Sequence, residues 1–176
     1  MKKENILVAA LILLAVAGVL NFHYSKSPES RAAAVAAVTG SQAFAGDEAN
    51  TKIDWQPYKE GLAKAKTQGK NVFLYFHAPW CTYCTKLKKH TLTDKKVLAL
   101  MNEHFVSISV DTDQNDALAK EWEVRGLPTV WFLEPDGSKI SSLPGYVEPD
   151  HLEKILKYIQ TKSYNSMTFP EFVNKS

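Results

Sequence analysis

The chain has 176 residues, 45 % of them hydrophobic, which allows one ordinary domain with its own core plus a tail. A net charge of +2 and the lack of any long basic run exclude nucleic acid as a partner. Two cysteines are too few for a fold stapled by disulfides.

Residues 1–24 do not belong to that domain. Lys2 and Lys3 precede an unbroken apolar run from Ile6 to Leu20, and no charged residue falls between Glu4 and Lys26. Such a span is long enough to cross a bilayer as a helix of roughly 20 residues. The lysine flank should stay on the cytoplasmic side and send the rest outward. The preferred expectation is a retained signal-anchor that contacts membrane lipid through residues 6–20. The alternative is a signal peptide cleaved near Ala45, since Ala43-Phe44-Ala45 is the one attractive small-x-small site and none follows Leu20 at once. A buried helix of a soluble protein is the third option. Both leading options place the domain on the extracytoplasmic, periplasmic side, anchored in the inner membrane or released. Residues 25–50 are mostly small and polar and read as a flexible tether. Within it, Ala32 to Val38 fits a short helix or a weak second apolar segment.

From Lys52 onward the pattern is that of a folded α/β unit. Trp55, Tyr58, Leu62 and Ala65 recur at helical spacing, and Gly69 stops that helix. Asn71 to Ala78 reads as a strand. Its bulky run from Val72 to Phe76 suits a strand covered on both faces. A helix is predicted from about Cys81 through Lys89, with a bend near Thr91 to Asp94 and helical continuation over 95–103. Strands follow at Phe105 to Val110 and Thr129 to Leu133, with a helix from Asn115 to Trp122 between them. Glu134-Pro135-Asp136-Gly137 is a turn, and Lys139 to Ser142 is a short edge strand. Pro149 to Gln160 makes a last helix, with Leu152, Ile155, Leu156 and Ile159 on its buried face. This order implies an α/β fold: a central mixed sheet flanked by helices on both faces, spanning 51–162, with 163–176 as a C-terminal extension.

The two cysteines, Cys81 and Cys84, sit in the stretch HAPWCTYCTK, after a strand and at a helix start. Free amide hydrogens and the helix dipole favour an anion there, and the thiolate is the reactive form of cysteine. Cys84 lies three residues on, on the same face. It is placed to attack a mixed disulfide formed by Cys81 and release the product. Trp80 and Tyr83 add flat surfaces on which a peptide could rest. Two blander options compete. A CxxC pair can be half of a zinc site, but no second CxxC is present, and only His77, His90, His104 and His151 remain as ligands within the domain. An inert bridge over so short a loop would constrain the unfolded chain little. No metal and no cofactor are expected. His77 reads as a strand-end histidine, and Lys86, Lys88 and Lys89 as a solvated helix face.

At this point the chain resembles the thioredoxin family over roughly residues 52–162. The pieces that carry the likeness are VFLYF, APWCTYC with Lys86, VDTD, RGLPTVWFLEPDG and Gly145. It is most similar to the exported thiol:disulfide interchange branch, including the C-terminal domain of the transmembrane reductant conductor. The resemblance implies a thioredoxin-like fold and a protein-disulfide oxidoreductase. Cys81 would be the exposed attacking cysteine, Cys84 the resolving one and Trp80 the flanking aromatic. Pro128 would be a cis-proline facing the pair and presenting the Leu127 backbone to a substrate strand. It implies reductase more than oxidase, client proteins with disulfides or thiols, and a redox partner that recycles the pair. Cytochrome maturation is one pathway of this kind. The alternative is a non-catalytic client-binding or chaperone module that uses Trp80, Tyr83 and Pro128. Two positions depart from the family. Tyr75 stands where many members bury an aspartate that relays protons, and Ser107 stands where a lysine often pairs with it. Glu121 or Glu123 is a candidate replacement.

Overall fold

The computed structural model describes residues 52–175. The expected anchor and tether, residues 1–50, lie outside the described residues.

The sheet is built around β2 (Asn71–His77), whose neighbours are β3 (Phe105–Asp111), in parallel, and β4 (Thr129–Leu133), antiparallel. β5 (Lys139–Pro144) pairs antiparallel with β4, and a two-residue β1 (Trp55–Gln56) pairs with β3 on the far side. The strand order is β1-β3-β2-β4-β5. Six consecutive residues of β2, from Asn71 to Phe76, are buried. The alternation of the pleat sends Phe73 and Tyr75 to one face and Val72, Leu74 and Phe76 to the other.

Each face has its own helical cover. On one lie α1 (Tyr58–Gln68) and α4 (Asp116–Glu121), with Ala65, Ala119 and Trp122 packed on the even-numbered residues of β2 and β3. On the other lie α2 (Thr82–Lys86), α3 (Lys95–His104) and α5 (Pro149–Gln160). The apolar stripe of α5, namely Leu152, Ile155, Leu156 and Ile159, is buried as its spacing predicts, and Pro149 opens the helix where a missing amide hydrogen costs nothing.

Two details differ from the sequence expectation and a third adds to it. Trp55 belongs to β1 rather than to the first helix. Pro57, with φ of −61°, sets the helix start at Tyr58, which leaves the Trp55 indole lying against Phe73 and Tyr75 at centroid distances of 6.3 and 5.7 Å. The helix after Cys81 becomes π-helical over Leu87–Thr91. The wide turn keeps both Leu87 and Thr91 inward, and the Thr91 hydroxyl donates to the Val147 carbonyl at 2.6 Å. Asp94 then caps α3, accepting from the amides of Lys96 and Val97. Finally, the described part of the C-terminal extension, 163–175, carries two helical elements. A 3-10 turn (Ser163–Asn165) and α6 (Phe169–Lys175) surround the Tyr158 ring with Tyr164, Phe169 and Phe172, and the Tyr158 hydroxyl donates to the Met167 carbonyl at 2.7 Å. Tyr164 in turn donates to Glu134 at the end of β4.

Gly61 is where α1 touches the sheet. A Cβ there would fall 2.4 Å from Ile108 Cγ1 and 3.1 Å from Gln56 Cβ. Alanine would add about 1 kcal/mol of helix propensity, but the overlap costs about 1–3 kcal/mol, so the net change is a loss. Gly61→Ala should lower the urea midpoint without changing the slope, and Gly61→Leu should lower it further. An unchanged or raised midpoint for both would contradict this close approach.

Candidate functional site

The site grows from the end of β2. After His77 the chain turns through Ala78, Pro79 and Trp80, and the Cys81 amide bonds the Ala78 carbonyl at 3.2 Å. Cys81 caps α2 with its own sulfur: Sγ accepts the Cys84 amide hydrogen at 3.0 Å. The two cysteines are joined as a disulfide, with Cα atoms 5.2 Å apart. The resemblance implies an exposed attacking cysteine. In the oxidised pair Cys81 is only 5 % exposed and Cys84 2 %, because both lie on the core cluster of the α5 face. The surface above them belongs to Trp80, 70 % exposed, and Tyr83, 61 % exposed. The Trp80 indole is held by Asp113, both carboxylate oxygens lying 3.1 Å from Nε1.

The segment from Gly126 to Thr129 reaches the same cluster. The Leu127–Pro128 bond is cis, and Leu127 packs against both core clusters, one of which contains Cys81 and Cys84. The Pro128 carbonyl accepts the Gly145 amide at 2.7 Å, and the Thr129 hydroxyl donates to the Gly126 carbonyl at 2.8 Å. Two of the three helix lysines have partners rather than water alone. Lys86 Nζ lies 3.9 Å from the Tyr146 ring centroid and 3.7 Å from Glu148, and Lys88 Nζ lies 5.7 Å from the Tyr75 ring.

Beneath the pair sits Tyr75, fully buried, with its hydroxyl 3.4 Å from the Cys84 carbonyl. Burial pushes its phenol well above the ordinary value, so it stays neutral. Ser107, also buried, lies on the same face one residue pair away. Glu121 and Glu123 do not replace the missing acid. They are exposed at the end of α4, the helix whose Ala119 and Trp122 pack on the opposite face of the sheet.

Sequence reasoning favours His77 as a strand-end histidine over a catalyst or a zinc ligand. Its ring stacks on Tyr75 with centroids 5.0 Å apart and planes 24° from parallel, and Nε2 lies 2.8 Å from the Ser109 hydroxyl. Partial burial lowers its pKa, the Lys88 charge lowers it further, and Asp111 opposes both. The one available signal is positional, since residues 75 and 77 of a strand share a face. Among the described residues no group of three or more His, Cys, Asp or Glu side chains could hold a metal ion. A shallow cavity of about 260 Å³ lies nearby, lined by Lys52, Ile53, Trp55, Lys88, Leu92 and Thr93.

Comparison with known proteins agrees with this geometry. The chain is 36 % identical over 94 residues to a protein disulfide-isomerase of Hordeum vulgare, covering 53 % of this chain and 18 % of that one. It is 38 % identical over 87 residues to the thiol:disulfide interchange protein DsbD of Actinobacillus pleuropneumoniae, covering 47 % of this chain and 15 % of that one. The matched region therefore spans less than a fifth of either relative. Among solved structures, a thioredoxin from Thermus thermophilus superposes with a TM-score of 0.59 at 33 % identity, covering 63 % of this chain and 89 % of that one. The thioredoxin-like domain family matches residues 58–160, more than half of the chain, and the protein belongs to that family.

Proposed function

We propose that this protein is a thiol–disulfide oxidoreductase acting through Cys81 and Cys84 on other proteins, more as a reductase than as an oxidase. The observation that carries it is the Cys81–Cys84 disulfide at a strand-to-helix turn beside two exposed aromatics, and the cis Leu127–Pro128 bond supports it. In the reduced protein, the Cys84 amide aimed at Cys81 Sγ favours the thiolate. That thiolate attacks one sulfur of a client disulfide and the other sulfur leaves as a thiolate. Cys84 Sγ then attacks Cys81 Sγ, the client is released with two thiols, and the Cys81–Cys84 bond re-forms. A dithiol on a redox partner returns the pair to its reduced state. Trp80, Tyr83, Leu127 and Pro128 would hold the client while this happens. The likeness to DsbD supports a role in thiol:disulfide interchange, and the Lys2/Lys3 flank with Ile6 to Leu20 supports an extracytoplasmic domain anchored in the membrane.

Insulin reduction in the presence of dithiothreitol tests the activity. Turbidity should appear earlier with the protein than without it. Client binding with no acceleration would favour the non-catalytic module instead. The roles of the two cysteines predict a labelling order: after reduction, iodoacetamide should modify Cys81 before Cys84 at pH 6–7, as read by peptide mass. Faster modification of Cys84 would reverse the assignment. The anchor is tested by carbonate extraction of membranes, which should leave the full-length protein in the pellet.

A further inference from the structure

His77 is the described group behind the dithiol whose charge can change near neutral pH. Cys84 and Tyr75 are shut off from water, so negative charge created when the disulfide opens is answered by neighbouring groups more than by solvent. The groups that face His77 are few. From its own strand comes Tyr75, which stays neutral; from the π-helical segment comes Lys88, a fixed cation; from β3 come Asp111, a fixed anion, and the Ser109 hydroxyl. The His77 ring stacks on the very tyrosine whose hydroxyl reaches the Cys84 carbonyl, so one aromatic ring separates the imidazole from the cysteine loop.

We propose that His77 is a positioning residue for charge: its affinity for a proton rises when the Cys81–Cys84 pair is reduced and falls when the disulfide re-forms. The inference rests on the thiol–disulfide chemistry proposed above. In the balanced step, a partner dithiol is oxidised to a disulfide and loses two protons and two electrons. The electrons break the Sγ–Sγ bond. One proton goes to Cys84 Sγ, Cys81 Sγ keeps the negative charge, and the second proton is divided between the His77 imidazole and solvent according to the pH. Imidazolium and thiolate each favour the other, and the coupling is reciprocal. Two unit charges roughly 10 Å apart would, at an effective dielectric of about 20–40, shift each other's midpoint by about 0.6–1.2 pH units. In the oxidised protein burial and the Lys88 charge hold the His77 pKa below its ordinary value, so the uptake on reduction is largest below neutral pH.

The test is a pair of NMR titrations of the histidine ring C–H signals of the full chain, one oxidised and one held reduced with dithiothreitol. The His77 midpoint should rise by about 0.5 unit or more on reduction, while those of His90, His104 and His151 stay put. Equal His77 midpoints in the two states would overturn the proposal and leave insulin reduction unaffected. Conversely, a protein that fails to reduce insulin but shows the shift would overturn the proposed activity and support the charge coupling. His77→Gln supplies the second readout. The thiolate absorbance of Cys81 should titrate at higher pH than in the wild type, and an unchanged midpoint would count against the coupling even if the variant remains active.

Discussion

Alanine at Cys84 should leave the protein covalently joined to its clients. Cys81 can still attack a client disulfide, but the sulfur that would resolve the adduct is gone. Release then depends on external thiol at about millimolar concentration, in place of an intramolecular attack whose effective concentration is on the order of molar or higher. Turnover should fall by at least about a thousandfold. Non-reducing gels of cells expressing Cys84→Ala should show ladders that collapse with dithiothreitol, and Cys81→Ala should show none. Equal ladders from both variants would mean that the attacking and resolving roles are wrongly assigned.

The second large effect concerns Tyr75. Its ring fills the space between Trp55, His77 and the cysteine loop, and no part of it is exposed. Removing a buried ring of this size costs about 3–5 kcal/mol, from lost transfer energy and the void left behind. Tyr75→Phe keeps the ring and loses one hydrogen bond, at 3.4 Å a long one, so the cost should sit near the lower end of about 0.5–1.5 kcal/mol. Urea denaturation of the oxidised proteins separates the two. A Phe variant as unstable as the Ala variant would show that the hydroxyl, not the packing, dominates at this position.

Cys84 and Tyr75 differ in how far the amino-acid order alone reveals them. Cys81 and Cys84 are legible because the spacing itself carries the chemistry. The α5 stripe is legible from its unbroken helical periodicity and the strand Thr129–Leu133 from its continuous apolar run after a turn. Trp55 is misleading because 55, 58, 62 and 65 satisfy helical spacing, whereas the helix start is decided by Pro57 and by pairing with β3. The π-helical segment has no one-dimensional signature, since it arises from Leu87 and Thr91 both needing to face inward, Thr91 toward Val147. The order in residues 163–175 comes from rings gathering on Tyr158, a tertiary effect. The partnership of Tyr75 and His77 follows from strand alternation, but its closeness to Cys84 depends on how the turn after β2 folds back.

The borders of the sheet bear on the company such a protein would keep. A protein that exchanges disulfides meets partners while they are still partly unfolded, and an extended chain readily adds itself to any open run of amides and carbonyls. Among the described residues one border strand, β1, is two residues long. The other, β5, carries Lys139, Ser141 and Ser142, is broken by an irregularity in its pairing between Phe132 and Leu133, and ends at Pro144, which has no amide hydrogen to give. Unfolded partners are thereby offered little to grip along the sheet. On the proposed function, their hold would be confined to the sulfur bond and the surfaces around it, so that resolution by Cys84 would free them.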